Sequence, residues 1–92
     1  EVLITIFSEE LAEESIKILA TIQGQGIDAE IYPDPTAKLD KQLKYADKKG
    51  IDYAAIVGPK EAKEQKVTIK DLRRGKQQTV PLALLPSILQ RE

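Results

Sequence analysis

Hydrophobic positions in this chain change period repeatedly, and each change predicts an element. Val2-Leu3-Ile4-Thr5-Ile6-Phe7 is a continuous, β-branched apolar run, the pattern of a strand buried on both faces of a parallel sheet. Ser8 stands where a helix N-cap is wanted, and Glu9 and Glu10 occupy a first turn whose dipole favours acids. Leu11, Ser15, Ile18, Leu19 and Ile22 repeat at helical spacing, and Gly24 and Gly26 end that helix. Ile27 to Tyr32 alternates as a half-exposed strand, and Pro33-Asp34-Pro35-Thr36 forces a turn. The next pattern predicts a helix with Leu39, Leu43 and Ala46 inward, stopped by Gly50.

Tyr53 to Val57 reads as a third buried strand ended by Gly58-Pro59, and Lys60 to Lys63 as one helical turn. Lys66 to Lys70 alternates as a fourth strand. Asp71 to Gly75 supplies a hairpin turn with glycine where φ > 0 is wanted, and Gln77 to Val80 returns as a fifth strand. Pro81 opens a last helix with Leu82, Leu85, Ile88 and Leu89 inward. The order β-α-β-α-β-(turn)-β-β-α predicts an α/β fold. Its first three strands are parallel with right-handed crossovers, and a hairpin makes the sheet mixed. No domain boundary, internal repeat or low-complexity segment interrupts it.

Composition narrows the chemistry. Ninety-two residues make one small domain. Cysteine and histidine are both absent, which removes disulfides, thiolate zinc sites, Ser-His-Asp and Cys-His catalysis, and the commonest metal ligand. No apolar run is long enough to span a bilayer. The chain opens at Glu1 and enters a strand at once, so a piece of a longer protein is expected. The net charge of −1 conceals two halves: residues 1–34 carry eight acids against one base, and residues 35–79 twelve bases against six acids. Such a domain can present a polyanion-binding side and an acidic side.

Individual motifs mostly reduce to structure. Gly24-Gln25-Gly26 follows a helix and precedes a strand, the reverse of a dinucleotide fingerprint. The third strand ends Ile56-Val57-Gly58 without the acid that a phospho-accepting receiver domain needs. Glu9, Glu10, Glu13 and Glu14 read as a solvated helix start, so no metal site is expected. The helix Lys38–Gly50 is the stronger candidate. Lys38, Lys41, Lys44, Lys48 and Lys49 lie off its apolar stripe, partly neutralised by Asp40 and Asp47. Spacing alone fits two readings equally: a solvated face with helical ion pairs, or phosphate contacts at the carboxyl ends of the strands, where open α/β sheets bind ligands. Lys38 and Gln42 fall near that edge after the second strand and Glu61 after the third. Gln42, Tyr45 and Glu61 are of the types that read base edges or stack on bases. Lys70 ends an antiparallel strand and need not reach the same edge.

Lys41-Gln42-Leu43-Lys44-Tyr45-Ala46-Asp47-Lys48-Lys49-Gly50 resembles the signature segment of the C-terminal domain of histidyl-tRNA synthetases. Lys66-Val67-Thr68-Ile69-Lys70-Asp71-Leu72, with Gly75 and Gln77-Gln78, is similar to the same family's hairpin. The resemblance implies residues 1–92 are an anticodon-binding domain of a class IIa aminoacyl-tRNA synthetase. The fold it implies is three-layer α/β/α with a five-stranded mixed sheet of order 2-1-3-4-5, strand 4 antiparallel. It further implies that Thr36, Lys38, Glu61 and Lys70 occupy the places that read the anticodon in related synthetases. Lys38, Lys41 and Lys44 would position phosphates, and Gln42, Glu61 and Lys70 would meet bases, while Tyr45 is equally well placed to stack on a base or to serve as an amphipathic rim residue. The implied partners are the tRNA(His) anticodon stem-loop and a catalytic domain elsewhere in a cytoplasmic, homodimeric parent that uses ATP and Mg. No catalytic residue, metal or cofactor is expected in this domain, because the family's catalytic motifs are absent from it. The alternatives are the equivalent domain of another class IIa synthetase, or a synthetase-derived protein-interaction module. Asp40 departs from the family pattern and weakens the positive patch.

Overall fold

The computed structural model describes residues 1–34 and 36–85. Its strands are β1 (Val2–Ile4), β2 (Ala29–Ile31), β3 (Tyr53–Ile56), β4 (Lys66–Asp71) and β5 (Lys76–Pro81). They form one sheet of order β2-β1-β3-β4-β5. β1 pairs in parallel with β2 and β3, and β4 is antiparallel to both β3 and β5. The helices are α1 (Ala12–Gly24), α2 (Leu39–Lys49) and α3 (Pro59–Glu64). The α/β class, strand order and antiparallel β4 agree with the sequence reading.

The two faces carry separate cores. Val2, Ile4, Ala55, Val57, Val67, Ile69 and Val80 pack with Ile18 and Ile22 of α1 and with Leu85. Leu3, Tyr32 and Ile51 pack with Ala46 of α2 on the opposite face. Strand alternation makes this division: successive residues of β1 point to opposite helix layers. The acidic first half of the chain thus supplies α1, and the basic second half supplies α2 and the hairpin.

Several local expectations shift. β1 ends at Ile4, although Thr5 continues the ladder by donating from its amide to Ala55 O (3.0 Å). Ser8 takes the extended N-cap conformation, but its hydroxyl makes no capping bond and a 3-10 turn, Glu9–Leu11, precedes α1. Pro81 belongs to β5, opposite Lys66, and a 3-10 turn, Leu82–Leu84, follows. Ile88 and Leu89 of the expected last helix, and Pro35 of the expected turn, lie outside the described residues. Gly75 has φ +70°, as the hairpin turn demands.

The inward face of α2 is the principal correction. Leu39 and Leu43 were expected to face the core; both are only half-buried, while Gln42 and Ala46 are fully enclosed. The reason lies at the end of β1. Val2 donates its amide to Asp28 O, and Ile4 O accepts from Tyr32 N, so the backbone groups of these alternate residues face β2. Those of Ile6 face the place where β2 would continue, but Pro33 and Asp34 turn that chain away. Ile6 N donates to Gln42 Oε1 and Gln42 Nε2 donates to Ile6 O, both at 2.8 Å. The carboxamide replaces a missing strand, since a buried backbone pair left unmade would be costly.

Candidate functional site

α2 starts beside the carboxyl end of β2 and runs back against the strand direction, roughly 16 Å from Leu39 to Lys49 at ~1.5 Å per residue. Thr36 and Lys38 therefore sit at the carboxyl edge of the sheet, before the helix. Both are exposed. Lys38 is the N-cap residue, extended at φ −67° and ψ 151°. Asp34 fixes the loop: its Oδ1 accepts from Thr36 N (2.9 Å) and Thr36 Oγ1 (2.7 Å). The Thr36 hydroxyl bond is the main cause that lowers the Asp34 pKa, helped by the Thr36 amide and Lys41. The Thr36 hydroxyl spends its proton there and keeps lone pairs for an incoming N–H.

Glu61 reaches the same edge after β3. It is half-buried and folds back over the start of α3, its Oε1 accepting from Gly58 N at 2.9 Å. A Cβ on Gly58 would come within 2.8 Å of that oxygen, so the absent side chain makes room for the contact. Thr36 and Lys38 after β2, and Glu61 after β3, thus lie along the same carboxyl edge, with the end of β1 between them.

Four other predicted residues lie elsewhere. A row of paired residues crosses the sheet from Glu30 through Leu3, Ala54 and Lys70 to Gln77. Tyr45 Oη donates to Glu30 Oε2 (3.0 Å) on β2, at one end of this row. Lys70 stands three strands away, roughly 14 Å at ~4.8 Å per strand, with α2 seated over Leu3 between them. Tyr45 and Lys70 thus flank α2 on opposite sides. Lys41 shares the Tyr45 flank, and Lys44 points away from the sheet, opposite the buried stripe. Lys70 also sits opposite Ala54, four residues and roughly 13 Å below Gly58.

Gln42 is corrected outright. It was expected to present a carboxamide to a base, but it is fully buried, and besides the Ile6 pair its Nε2 donates to Ala37 O at 2.9 Å. Both amide hydrogens and the oxygen are committed to the protein's own backbone.

Tyr45 is held in place. Its ring meets Tyr32 edge to face, with centroids 5.3 Å apart. Lys49 Nζ lies 5.4 Å from its centroid and bonds both Tyr45 Oη (3.1 Å) and Glu30 Oε1 (2.8 Å). The Lys49 hydrogen bond is the main cause lowering the Glu30 pKa, with Tyr45 adding to it against partial desolvation. The same bonds raise the Lys49 pKa.

Sequence reasoning missed the open half of the sheet. Ile56, Thr68 and Thr79 form a second paired row beside Lys70 and Gln77, and Thr68 and Thr79 share a hydrogen bond of 2.7 Å. Thr68 and Lys70 are half-buried, and Gln77 and Thr79 exposed. Leu39 and Leu43 lie on the flank of α2 toward this shelf, since Asp47 on the same flank lines an open depression together with Leu72, just past the end of β4. Strand alternation carried the signal: Thr68, Lys70, Gln77 and Thr79 are polar where a covered face would be apolar. Phe7 was also missed, since it reads as the end of a buried strand yet is 48% exposed at the carboxyl edge. Among the described residues no His, Cys, Asp and Glu side chains cluster as a metal site, and no helix is long and apolar enough to cross a membrane.

Comparison with known proteins places these features in a family. The model of the anticodon binding domain matches residues 1–92. Histidine–tRNA ligase of Porphyromonas gingivalis is 37% identical over 81 residues, which is 88% of this chain and 18% of that protein. Histidine–tRNA ligase of Bacteroides fragilis is 45% identical over 74 residues, 80% of this chain and 16% of that one. The crystal structure of histidyl-tRNA synthetase from Nostoc sp. PCC 7120 superposes with a TM-score of 0.94 at 32% identity, covering 98% of this chain and 21% of that one. The RNA binding domain of threonyl-tRNA synthetase from Cryptosporidium parvum shares the fold, with a TM-score of 0.91 at 18% identity over 99% of this chain and 23% of that one. The chain thus spans about a fifth of the length of these relatives.

Proposed function

The chain belongs to the anticodon binding domain family, and on that premise we propose that it binds the anticodon stem-loop of tRNA(His) as one domain of a histidine–tRNA ligase. The observation that carries the histidine assignment is identity of 37–45% across at least four-fifths of the chain with proteins of that name. In this reading Lys38, Lys41 and Lys44 position phosphates. Thr36 and Glu61 meet bases at the carboxyl edge, and Lys70 meets the loop from the open shelf. Phosphate contacts fix register and base contacts carry sequence. Gln42 supports the site without touching RNA, and Tyr45 holds α2 to β2. The domain selects and holds tRNA, while catalysis, ATP and Mg belong to another domain of a longer, cytoplasmic, homodimeric parent.

Titration of the chain with a hairpin RNA carrying the histidine anticodon loop tests this. Affinity is expected to fall linearly in log-log form with salt, and Lys38→Glu and Lys41→Glu are each expected to reduce the slope by about 1. A hairpin with a different anticodon is expected to bind more weakly. Absence of binding at low salt, with the fold intact, refutes the proposal.

A further inference from the structure

Resting on the tRNA reading above, we propose that Phe7 is the platform on which one unpaired base of the anticodon loop stacks. Phe7 leaves β1 at the middle of the carboxyl edge, between the loop that carries Thr36 and the first turn of α3, which carries Glu61. It is 48% exposed, unusual for the only phenylalanine in the chain. The Cδ2 and Cε2 atoms of the ring lie near the backbone of Gly58, where a built Cβ would stand 3.7 Å from each. Phe7 also helps line an open depression of about 370 Å³, together with Ser8, Glu9, Glu10 and Thr36. A half-exposed ring that meets Gly58 at Cδ2 and Cε2 and borders an open depression offers apolar surface on which a base can stack.

The lining chemistry favours a base over a phosphate. Glu9 and Glu10 would repel a phosphate but accept hydrogen bonds from ring and amino N–H groups. The Ser8 hydroxyl makes no capping bond, and the Thr36 hydroxyl retains its lone pairs. The cations Lys38 and Lys41 lie at the start of α2, where backbone phosphates flanking an inserted base would pass. The platform is fixed before the RNA arrives, because the carboxamide of Gln42 grips Ile6, the residue preceding Phe7.

The chain contains no tryptophan, so Phe7→Trp introduces a single indole that still stacks and whose emission can be excited apart from that of the three tyrosines. Titrating that variant with the hairpin RNA is expected to quench its emission. Phe7→Leu, which keeps an apolar side chain but loses the flat ring, is expected to weaken binding by roughly 5- to 150-fold, the range that base–aromatic stacking spans. Thermal melting by circular dichroism checks that Phe7→Leu is folded. Abasic substitutions along the loop then locate the stacked nucleotide: at that position the parent chain loses affinity and Phe7→Leu loses little more. If Phe7→Leu binds like the parent, or no abasic position couples to it, while Lys38→Glu still weakens binding, the platform is refuted and the tRNA reading stands. If the parent chain binds no RNA, both fall.

Discussion

Replacing Gln42 separates two roles that the sequence alone leaves indistinguishable. A base-reading glutamine would be dispensable for folding, whereas the observed one is a clamp. In Gln42→Leu the side-chain volume is nearly kept, but Ile6 N and Ile6 O lose their partners at 2.8 Å and Ala37 O loses a donor. Ile6 is 6% exposed, so water cannot readily replace the amide. Each buried orphan costs about 1–3 kcal/mol. With two such groups and some return from the apolar leucine, the net loss is about 3 kcal/mol. For a domain this size that lowers Tm by roughly 12–24 °C. Gln42→Glu sharpens the test. At neutral pH its carboxylate can accept from Ile6 N but faces two carbonyls without a proton, so it should be less stable than Gln42→Leu. Burial and those carbonyls raise the folded-state pKa above the unfolded value of about 4.3. The deficit relative to the parent therefore shrinks as pH falls through that raised value, where the protonated acid can again donate. Urea unfolding followed by circular dichroism measures each variant beside the parent from pH 7 to pH 4. A Gln42→Leu variant within about 0.5 kcal/mol of the parent would refute the clamp.

Other consequences are smaller and independent. Ser15→Ala removes the hydroxyl that donates to buried Thr5 O at 2.8 Å and should cost about 1–2 kcal/mol by urea titration. Gly75→Ala meets nothing within 4 Å, so its expected cost of about 1 kcal/mol arises only from placing a side chain at φ +70°, and Gly75→Asn should recover part of it. Gly58→Ala forces Glu61 off the Gly58 amide and should lower stability by about 0.5–1.5 kcal/mol, leaving little further effect in a Glu61→Ala background, which lacks the acceptor. The lowered pKa of Glu30 contributes stability that is present above its unfolded value of about 4.5 and is lost as pH falls through the folded one. Glu30→Gln should accordingly flatten the fall in Tm below pH 5, and an unchanged acid limb would count against the Lys49–Tyr45–Glu30 network.

The sequence carried the topology because its signals are local. Gly24, Gly50 and Gly75 mark ends of elements, and the change from helical to strand periodicity brackets each strand within a few residues. The inward face of α2 was not legible for a physical reason. Leu39 and Leu43 resemble a core stripe, but the core position is claimed by a polar side chain that answers a vacancy in β1, a strand distant in sequence. Ala46, small enough to let α2 approach Leu3, was the one local sign of the true face. The placement of Thr36, Lys38 and Glu61 at the carboxyl edge was legible, because it follows from their positions just after parallel strands. The candidate site was not legible where it depends on the sheet's lateral extent: the reading listed Tyr45 and Lys70 in one site, and they stand on opposite sides of a helix.

The buried polar residues explain why the edge can serve as a binding surface at all. Among the described residues Thr5, Ser15 and Gln42 are the buried polar ones, and all three act on the last turnless stretch of β1. Ser15 reaches from α1 to Thr5 O, Gln42 from α2 to both backbone groups of Ile6, and Thr5 Oγ1 donates to Ala55 O of β3 at 2.9 Å. A strand that outlasts its neighbour β2 would otherwise fray, since its amides would face solvent on one side. Tied to both helix layers and to β3, it instead delivers Phe7 and Ser8 at a fixed height between the loop bearing Thr36 and the first turn of α3, which bears Glu61. Side chains on a fixed edge lose less freedom when a flexible RNA loop settles on them, so less of the contact energy is spent on ordering the protein. Polar groups in the core, commonly a cost, here extend the rigid scaffold by two residues into the place where a ligand would meet it.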